Sequence, residues 1–517
     1  MSVSFDDPES PSIASPLPTD TLADSVVMLL GLTVVQRLIG FVRSVLFCGW
    51  LSAEQLGLWD MAFSFLLLAA PLAVLAIPGT FGRYLEYYRQ RCQLRVFLTI
   101  SAVLCTILSA VAFVGIFFAR HWFSKLIFGS GDQSQLVAVA AGCLIAVIAF
   151  NFLIELLTAL RNIRLVSIMQ LIGSGAFALL GVGLLFGWQP TAESVLVAYG
   201  GSCLIAVLWA GYAVARTLRA RKPCAEQADR PAPASRSEFF TRVVPFAGWV
   251  LLGSILINLF GVVDRYMIIH FSRIPAADAL DTVGNYYSSR IVPMLLVSVA
   301  TMLGGIILPH LSHDWEAGLR DRVAQRLRLF LKLCGFALFA GGVVVLLAAP
   351  ILFQVILHGK FRYGESVLPW TLVYCTWFGL SMIVQTYLLC AEKASLASVA
   401  VGCGLLLSIP LNIFLLPRLG LEGAVLATAS ANALSLVLTC WFSRRSGFQL
   451  DDGAKLVLVL PMLICLGPWI SLFALVAVMA VAFWTDRLLT TDEKHLIAER
   501  FRTMVVNRFD RKRAGST

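Results

Sequence analysis

Arginine is the ionisable residue type that recurs in and beside the long apolar segments of this chain. Arg37 and Arg43 lie in the first segment, Arg83 closes the second, and Arg265 and Arg290 lie in the seventh and eighth. A charged side chain at membrane depth is costly and usually faces a cavity or a partner. Because a guanidinium group binds phosphate or carboxylate through paired hydrogen bonds, this set predicts an anion-binding site.

Helical spacing divides the polar residues of the first segment. Gln36, Gly40 and Arg43 follow an i, i+4, i+7 pattern, so they share one helix face. Arg37 points to another side of the helix, and Arg43 lies about 9 Å further along the axis. The spacing predicts Arg43 in a cavity with Gln36, and Arg37 as a second cation at a different angle.

Each arginine also has a purely structural interpretation. Arg83 could extend its side chain to the membrane surface, as basic residues near helix ends do. Asp264 could form an ion pair with Arg43 or with its neighbour Arg265. The sequence leaves anion binding and internal pairing open.

Three carboxylates, Asp60, Glu155 and Asp264, are candidate ion-coupling residues, because a proton or sodium ion could bind there. For Asp60 and Glu155, the favoured alternative is a helix-end charge at the membrane surface, because charges inside the membrane are costly. His310, His313 and Asp314 have ligand-like spacing, but they end a segment in water, so no metal site is expected. No cofactor is expected either.

Composition defines the elements that carry these residues. The chain has 517 residues, of which 59% are hydrophobic and 14% charged. Soluble domains are about 45–50% apolar and about 25% charged. No polar block is long enough to form its own core, which argues against a cytoplasmic ATPase or transferase domain. P-loop, HExxH and GxSxG motifs are absent, so an enzyme is not expected.

The net charge of +10 follows the loops rather than a single basic domain. Arginines and lysines concentrate in the connections that follow even-numbered apolar segments, such as 83–95, 161–164, 216–242 and 320–328. This pattern is typical of cytoplasmic loops beside anionic lipid. It predicts membrane lipids rather than nucleic acid as partners, and an inner-membrane location with both termini cytoplasmic.

The apolar segments predict an all-α, polytopic membrane protein. Twelve segments of about 20 residues or more lie between residues 25 and 442, and a broken apolar run follows. We predict about 14 transmembrane helices, twelve in two six-helix bundles plus a short C-terminal hairpin turning at Gly467-Pro468. One long kinked helix is the alternative. The predicted units are a disordered cytoplasmic leader 1–24, a first bundle 25–215, a basic linker 216–242, a second bundle 243–443, the hairpin 455–484 and a basic tail 485–517.

Weak internal repeats support two similar bundles. The second segment opens with Gly57-Leu-Trp59 and the eighth with Gly284-Asn-Tyr286, while Gly129 and Gly359 end similar short sequences further on. The pairs keep their order and nearly the same offset. Two related bundles around a central cavity are a plan that transporters use.

Four contiguous motifs stand out in the sequence: Gly40-Phe-Val-Arg43, Gly57-Leu-Trp59, Ala76-Ile-Pro78-Gly79-Thr-Phe-Gly82-Arg83-Tyr84 and the run 411–428. Through these motifs the chain resembles the polysaccharide-unit flippases of the multidrug/oligosaccharidyl-lipid/polysaccharide exporter (MOP) superfamily. It implies two bundles that rock about a cleft and move an undecaprenyl-diphosphate-linked oligosaccharide to the outer leaflet. The arginines Arg37, Arg43, Arg290, Arg83 and Arg265 would then contact the substrate. A polysaccharide polymerase complex is a candidate partner.

Two other functions within this superfamily stay open at this point. A peptidoglycan-precursor lipid flippase would have the same architecture. A cation-coupled drug exporter would more often carry carboxylates deep in its bundles, whereas the charges here are mainly arginines. A membrane glycan polymerase needs a large external loop, and the predicted external loops are short.

Overall fold

The computed structural model describes residues 22–91, 93–220 and 239–485, together with Leu488 and Glu493. Throughout these residues the regular elements are helices, which confirms the predicted all-α class. The greater part of the predicted leader, linker and tail, at 1–21, 221–238 and most of 486–517, lies outside the described residues, so the predictions for those segments stay open.

The first half of the chain forms eight helices, two of them short. They are α1 (Leu22–Trp50), α2 (Ala53–Ala73), α3 (Phe81–Gln90), α4 (Leu94–Phe118), α5 (Arg120–Phe128), α6 (Ser134–Ala159), α7 (Ile163–Gly187) and α8 (Ala192–Ala220). A 3-10 turn at Ile77–Thr80 separates α2 from α3. The helices longer than 20 residues are apolar enough to cross a membrane.

The second half repeats the plan and adds a shorter C-terminal pair. Its helices are α9 (Val244–Phe271), α10 (Ala276–Glu316), α11 (Arg320–Pro350), α12 (Arg362–Cys390), α13 (Ala394–Leu419), α14 (Leu421–Arg445), α15 (Asp452–Val459) and α16 (Pro468–Trp484). The described residues contain 12 helices long and apolar enough to span a membrane, six in each half. Short connections make successive long helices antiparallel. The end that carries 83–95, 161–164 and 320–328 is called the basic end below.

The two halves meet where α2 crosses α10, through the two glycines of the internal repeat. A methyl group on Gly57 would lie 1.9 Å from the carbonyl oxygen of Leu280, and one on Gly284 would lie 1.8 Å from that of Ala53. Gly57 therefore meets the backbone four residues before Gly284, and Gly284 meets the backbone four residues before Gly57. Only glycine permits so close an approach of two helix backbones.

Matching contacts close the end of the bundles opposite the basic end. The Lys360 ammonium donates to the carbonyl oxygen of Gly49 at 2.9 Å, joining the second half to the end of α1. In the other direction, His270 at the end of α9 lies 2.8 Å from the carbonyl oxygen of Leu126. Gly129 and Gly359, the predicted repeat partners, both have a left-handed backbone, with φ of 74° and 69°. These contacts repeat the pseudo-symmetry at the helix crossing.

The C-terminal segment turns at Gly467, where φ is 102°. A 3-10 helix, Leu460–Leu466, continues α15 up to this turn, and α16 follows it. Lys332 of α11 is fully buried and lies 2.5 Å from an Asp451 oxygen and 2.9 Å from a Glu493 oxygen. The beginning of α15 and the chain beyond α16 are therefore held at one place. The predicted total of about 14 transmembrane helices requires that the segment before Gly467 and the helix α16 after it each cross the membrane. That crossing stays a prediction.

Candidate functional site

A cavity of about 510 Å³ lies between the two halves, near the middle of the long helices. Helices α1, α7 and α8 form one side, and α10 forms the other. The polar lining residues include Gln36, Arg37, Arg43, Ser44, Gln170, Ser174, Ser202 and Ser298, and the aromatic ones are Phe41, Phe63, Phe150, Phe177 and Tyr199. Its volume is within the range of about 300–1,000 Å³ that is usual for small-molecule sites.

Arg37 and Arg43 are the two charged residues in the cavity wall. The Arg43 guanidinium carbon lies 4.0 Å from the centre of the Phe177 ring. Its Nε atom is buried and has no hydrogen-bond partner among the described residues. In the described part of the chain, neither arginine is within ion-pair distance of a carboxylate. The cavity therefore has two cations whose charge is not balanced by a neighbouring acid.

The cavity extends around α1, which explains how it includes both arginines. Gln36, Gly40 and Arg43 share the face that their spacing predicts, and all three line the cavity. Arg37 lies at a different angle on the helix and is exposed, yet it lines the same space. Helical spacing predicts that Arg37 lies on a different face from Gln36, Gly40 and Arg43. Spacing within one helix cannot show that a single cavity contacts both faces.

Arg265 and Arg290 are absent from this cavity wall and meet Asp60 instead. An Asp60 oxygen lies 2.5 Å from an Arg290 terminal nitrogen and 3.2 Å from Arg265 Nε. Arg265 also donates to the Ser64 hydroxyl at 2.5 Å. The carboxylate comes from α2 and the two guanidinium groups from α9 and α10, so this ion pair joins the halves near the glycine crossing.

Asp264 completes the group of four buried charges. Its carboxylate accepts a hydrogen bond of 2.6 Å from the Tyr286 hydroxyl, and one of 2.8 Å from the backbone N–H of Arg265. The Tyr374 hydroxyl lies 2.9 Å from that of Tyr286. We call Asp60, Asp264, Arg265 and Arg290 the balanced cluster, because it contains two buried carboxylates and two buried guanidinium groups, and Asp60 contacts both guanidinium groups.

The placement of Asp60 differs from the interpretation that the sequence favoured. Asp60 is 2% exposed, so it is not a helix-end charge at the membrane surface. The predicted pairing of Asp264 with Arg43 is also absent from the ion pairs of the described residues. Asp60 sits in an apolar stretch of α2, and its partners lie more than 200 residues away, so no local pattern could identify them.

Arg83 and Glu155 lie away from the balanced cluster. Arg83 is an exposed residue of α3, and its guanidinium carbon lies 4.9 Å from the centre of the Phe246 ring. Glu155, four residues before the end of α6, lines a second cavity of about 330 Å³ towards the basic end. Phe63 and Tyr199 line both cavities, so the two spaces adjoin. Sequence reasoning did not identify these two aromatic residues, because aromatic side chains are common throughout the segments.

The model of a family described as "Polysaccharide biosynthesis protein" matches residues 22–315 of this chain. The chain belongs to this family. The match covers α1 to α10, and therefore both cavities and the balanced cluster. A comparison with curated protein sequences gives no match.

Solved structures of MOP-superfamily transporters share the fold. A structure described as "Lipid II flippase MurJ, inward closed conformation" superposes with a TM-score of 0.68 at 13% identity, covering 89% of this chain and 99% of that one. An inward-facing multidrug-resistance MATE transporter gives 0.60 at 12% identity, covering 83% and 98%. Its outward-facing counterpart gives 0.54 at 13% identity, covering 83% and 96%. The chain therefore has the architecture of a MOP-superfamily membrane transporter, and the suspected family is confirmed.

Proposed function

We propose that this protein is a flippase that moves an undecaprenyl-diphosphate-linked oligosaccharide from the cytoplasmic to the outer leaflet for polysaccharide biosynthesis. The observation that carries the proposal is the unbalanced pair Arg37 and Arg43 in the interbundle cavity. The proposal also rests on membership of a polysaccharide biosynthesis family. The basic end would face the cytoplasm, both termini would be cytoplasmic, and the membrane would be the inner membrane.

Charge balance explains why the substrate of this cavity should be anionic. Arg43 is partly buried, and taking an unpaired cation out of water costs several kcal/mol unless an opposite charge compensates. The balanced cluster contains its own carboxylates, whereas the cavity wall does not. A lipid diphosphate carries the missing negative charges and offers oxygens that guanidinium groups bind in pairs.

The contacts between the halves support transport by alternating access. The glycine crossing and the Lys360 and His270 contacts close the end opposite the basic end. For the substrate to leave at that end, these contacts would have to separate while the bundles rock. A diphosphate bound to Arg37 and Arg43 would then change its exposure from one side of the membrane to the other.

A peptidoglycan-precursor lipid flippase is the second candidate, favoured by the similarity of fold to the lipid II flippase structure. Its substrate class also carries a diphosphate, so Arg37 and Arg43 would serve either function. A cation-coupled drug exporter fits less well, because the charges of the main cavity wall are both positive. In the proposed function, the flipped unit would pass to a polysaccharide polymerase complex as partner.

The test is deletion of the gene and complementation with variants. We expect lipid-linked units to continue to form and to accumulate in the cytoplasmic leaflet, out of reach of a membrane-impermeant sugar-oxidising reagent in spheroplasts. Wild-type protein should restore labelling, and the Arg37→Ala/Arg43→Ala double variant should not, at equal membrane abundance. Loss of synthesis itself would contradict the proposal. Accumulation of peptidoglycan precursor instead would favour the second candidate.

A further inference from the structure

The second cavity differs in chemistry from the cationic cavity beside it. Its polar lining residues are Asn151 and Glu155 of α6, and Ser254 and Asn258 of α9, with the shared Tyr199. No arginine or lysine lines it among the described residues. Glu155 also has no ion-pair partner in that part of the chain. A diphosphate would be repelled here, whereas neutral groups that donate and accept hydrogen bonds would be favoured.

Amide and carboxylate groups in an apolar wall match the surface of a sugar. Sugar hydroxyl groups can donate to the Glu155 carboxylate and exchange hydrogen bonds with the Asn151 amide. Phe63 and Tyr199 offer aromatic surface, and Pro71 and Pro78 add apolar surface for the C–H faces of a ring. The volume of about 330 Å³ lies at the lower end of the usual range for small-molecule sites. It suits a short piece of glycan rather than a long chain.

A bound cation is the competing interpretation of Glu155. Metal cations such as Ca²⁺ and Mg²⁺ need about six or more oxygen ligands at close range, or tightly held water in their place. No group of three histidine, cysteine, aspartate or glutamate side chains able to hold a metal ion occurs in the described ranges. Of the described residues that line this cavity, Glu155 is the one with a carboxylate. The cavity is therefore better matched to hydroxyl groups than to a divalent metal cation.

We propose that the second cavity is a glycan subsite, which holds the sugar nearest the lipid diphosphate while Arg37 and Arg43 hold the diphosphate. This inference rests on the proposed function and assigns the two parts of one substrate to two adjoining spaces. The shared residues Phe63 and Tyr199 lie at the junction, where the bond between diphosphate and sugar would pass. The phosphate site would provide charge recognition, and the subsite would distinguish a loaded lipid from an empty one.

The experiment compares two probes on full-length protein in lipid nanodiscs. One probe is undecaprenyl diphosphate, and the other is the host's own lipid-linked unit, extracted from the deletion strain. Asn151→Phe fills the subsite, and Glu155→Gln removes its charge without changing its shape. We expect each variant to weaken binding of the lipid-linked unit by about tenfold and to leave binding of the bare diphosphate unchanged. Ile145→Phe is the matched control, since Ile145 is an exposed residue of the same helix that does not line the cavity.

The outcomes separate the subsite from the proposed function. Equal weakening of both probes by Asn151→Phe, or no weakening of either, would overturn the subsite while Arg37→Ala still weakens both. A Glu155→Gln variant that binds both probes normally but loses sodium or proton dependence of transport would assign the residue to a cation and overturn the proposal. If the wild-type protein bound neither probe, the proposed function would fail and the subsite with it.

Discussion

Two pairs of arginines lie within this membrane bundle, and they differ in whether acids surround them. Arg265 and Arg290 contact Asp60 and are 7% and 5% exposed. Arg37 and Arg43 line a cavity without a carboxylate within ion-pair distance in the described residues. Residue type is the same for both pairs, so the difference arises from their neighbours.

This comparison indicates that arginine in a membrane segment has two separate uses. A guanidinium group paired with an internal acid can hold two halves together, because breaking the pair leaves a buried charge without compensation. A guanidinium group without an acid must be solvated by water or take a counter-charge from lipid or substrate. Stability measurements should therefore respond to the first pair, and transport measurements to the second.

The largest effect is expected for Asp60→Ala. Removal of this carboxylate leaves both Arg265 and Arg290 without their acid, which costs about 3–5 kcal/mol when a buried pair is broken. We expect a large loss of folded protein, measured by size-exclusion chromatography in detergent, and a lower unfolding temperature. The double variant Asp60→Ala/Arg290→Met should recover part of the loss, since one stranded cation is gone. Wild-type stability in the single variant would show that the ion pair does not join the halves.

Arg43→Ala should reduce transport while the protein stays folded. Charge-assisted contacts are worth about 1.5–3 kcal/mol, so losing one should lower transport per folded molecule about ten- to a hundredfold. No carboxylate is left unpaired in the described part of the chain, so the unfolding temperature should stay near that of the wild type. Arg37→Ala should behave in the same way. Normal transport per folded molecule in both variants would refute the anion-binding role.

Arg43→Lys sharpens the comparison by keeping the charge and removing the guanidinium fork. Lysine can attract a diphosphate, but it cannot make paired hydrogen bonds with fixed geometry. Transport per folded molecule should therefore lie between the values for the wild type and Arg43→Ala. The transport assay used for Arg43→Ala measures this value. A lysine variant as inactive as alanine would mean that the geometry of the contact, rather than its charge, decides binding.

Arg83→Ala should have the smallest effect. This exposed side chain lies over the Phe246 ring outside both cavities, and an exposed cation–π contact is worth about 0.5–1 kcal/mol. Transport and unfolding temperature should both stay close to those of the wild type in the assays used for Arg43. A strong transport defect would indicate that the substrate contacts the basic end before it enters the cavity.

The sequence by itself determined the class of the protein, most of its membrane helices and its family. Long apolar segments can only be satisfied as helices in lipid, so the all-α class follows from local composition. The family motifs around Gly40 and Gly57 were readable because they are contiguous. The internal repeat was weaker, yet Gly57 and Gly284 meet directly at the helix crossing. The helical class and the contiguous family motifs depend only on neighbours in the chain.

Only the tertiary structure decided which arginine has an acid beside it. Arg290 and Asp60 are 230 residues apart in sequence, and the rotation of α2 against α10 brings them together. A different rotation of α2 about its axis would move the Asp60 carboxylate away from both arginines, since they come from α9 and α10. The sequence predicted substrate contact for all four arginines, because charge and hydropathy contain no information about how helices are rotated towards one another. That rotation is set by contacts such as the Gly57–Gly284 crossing, which exist only when both bundles are packed.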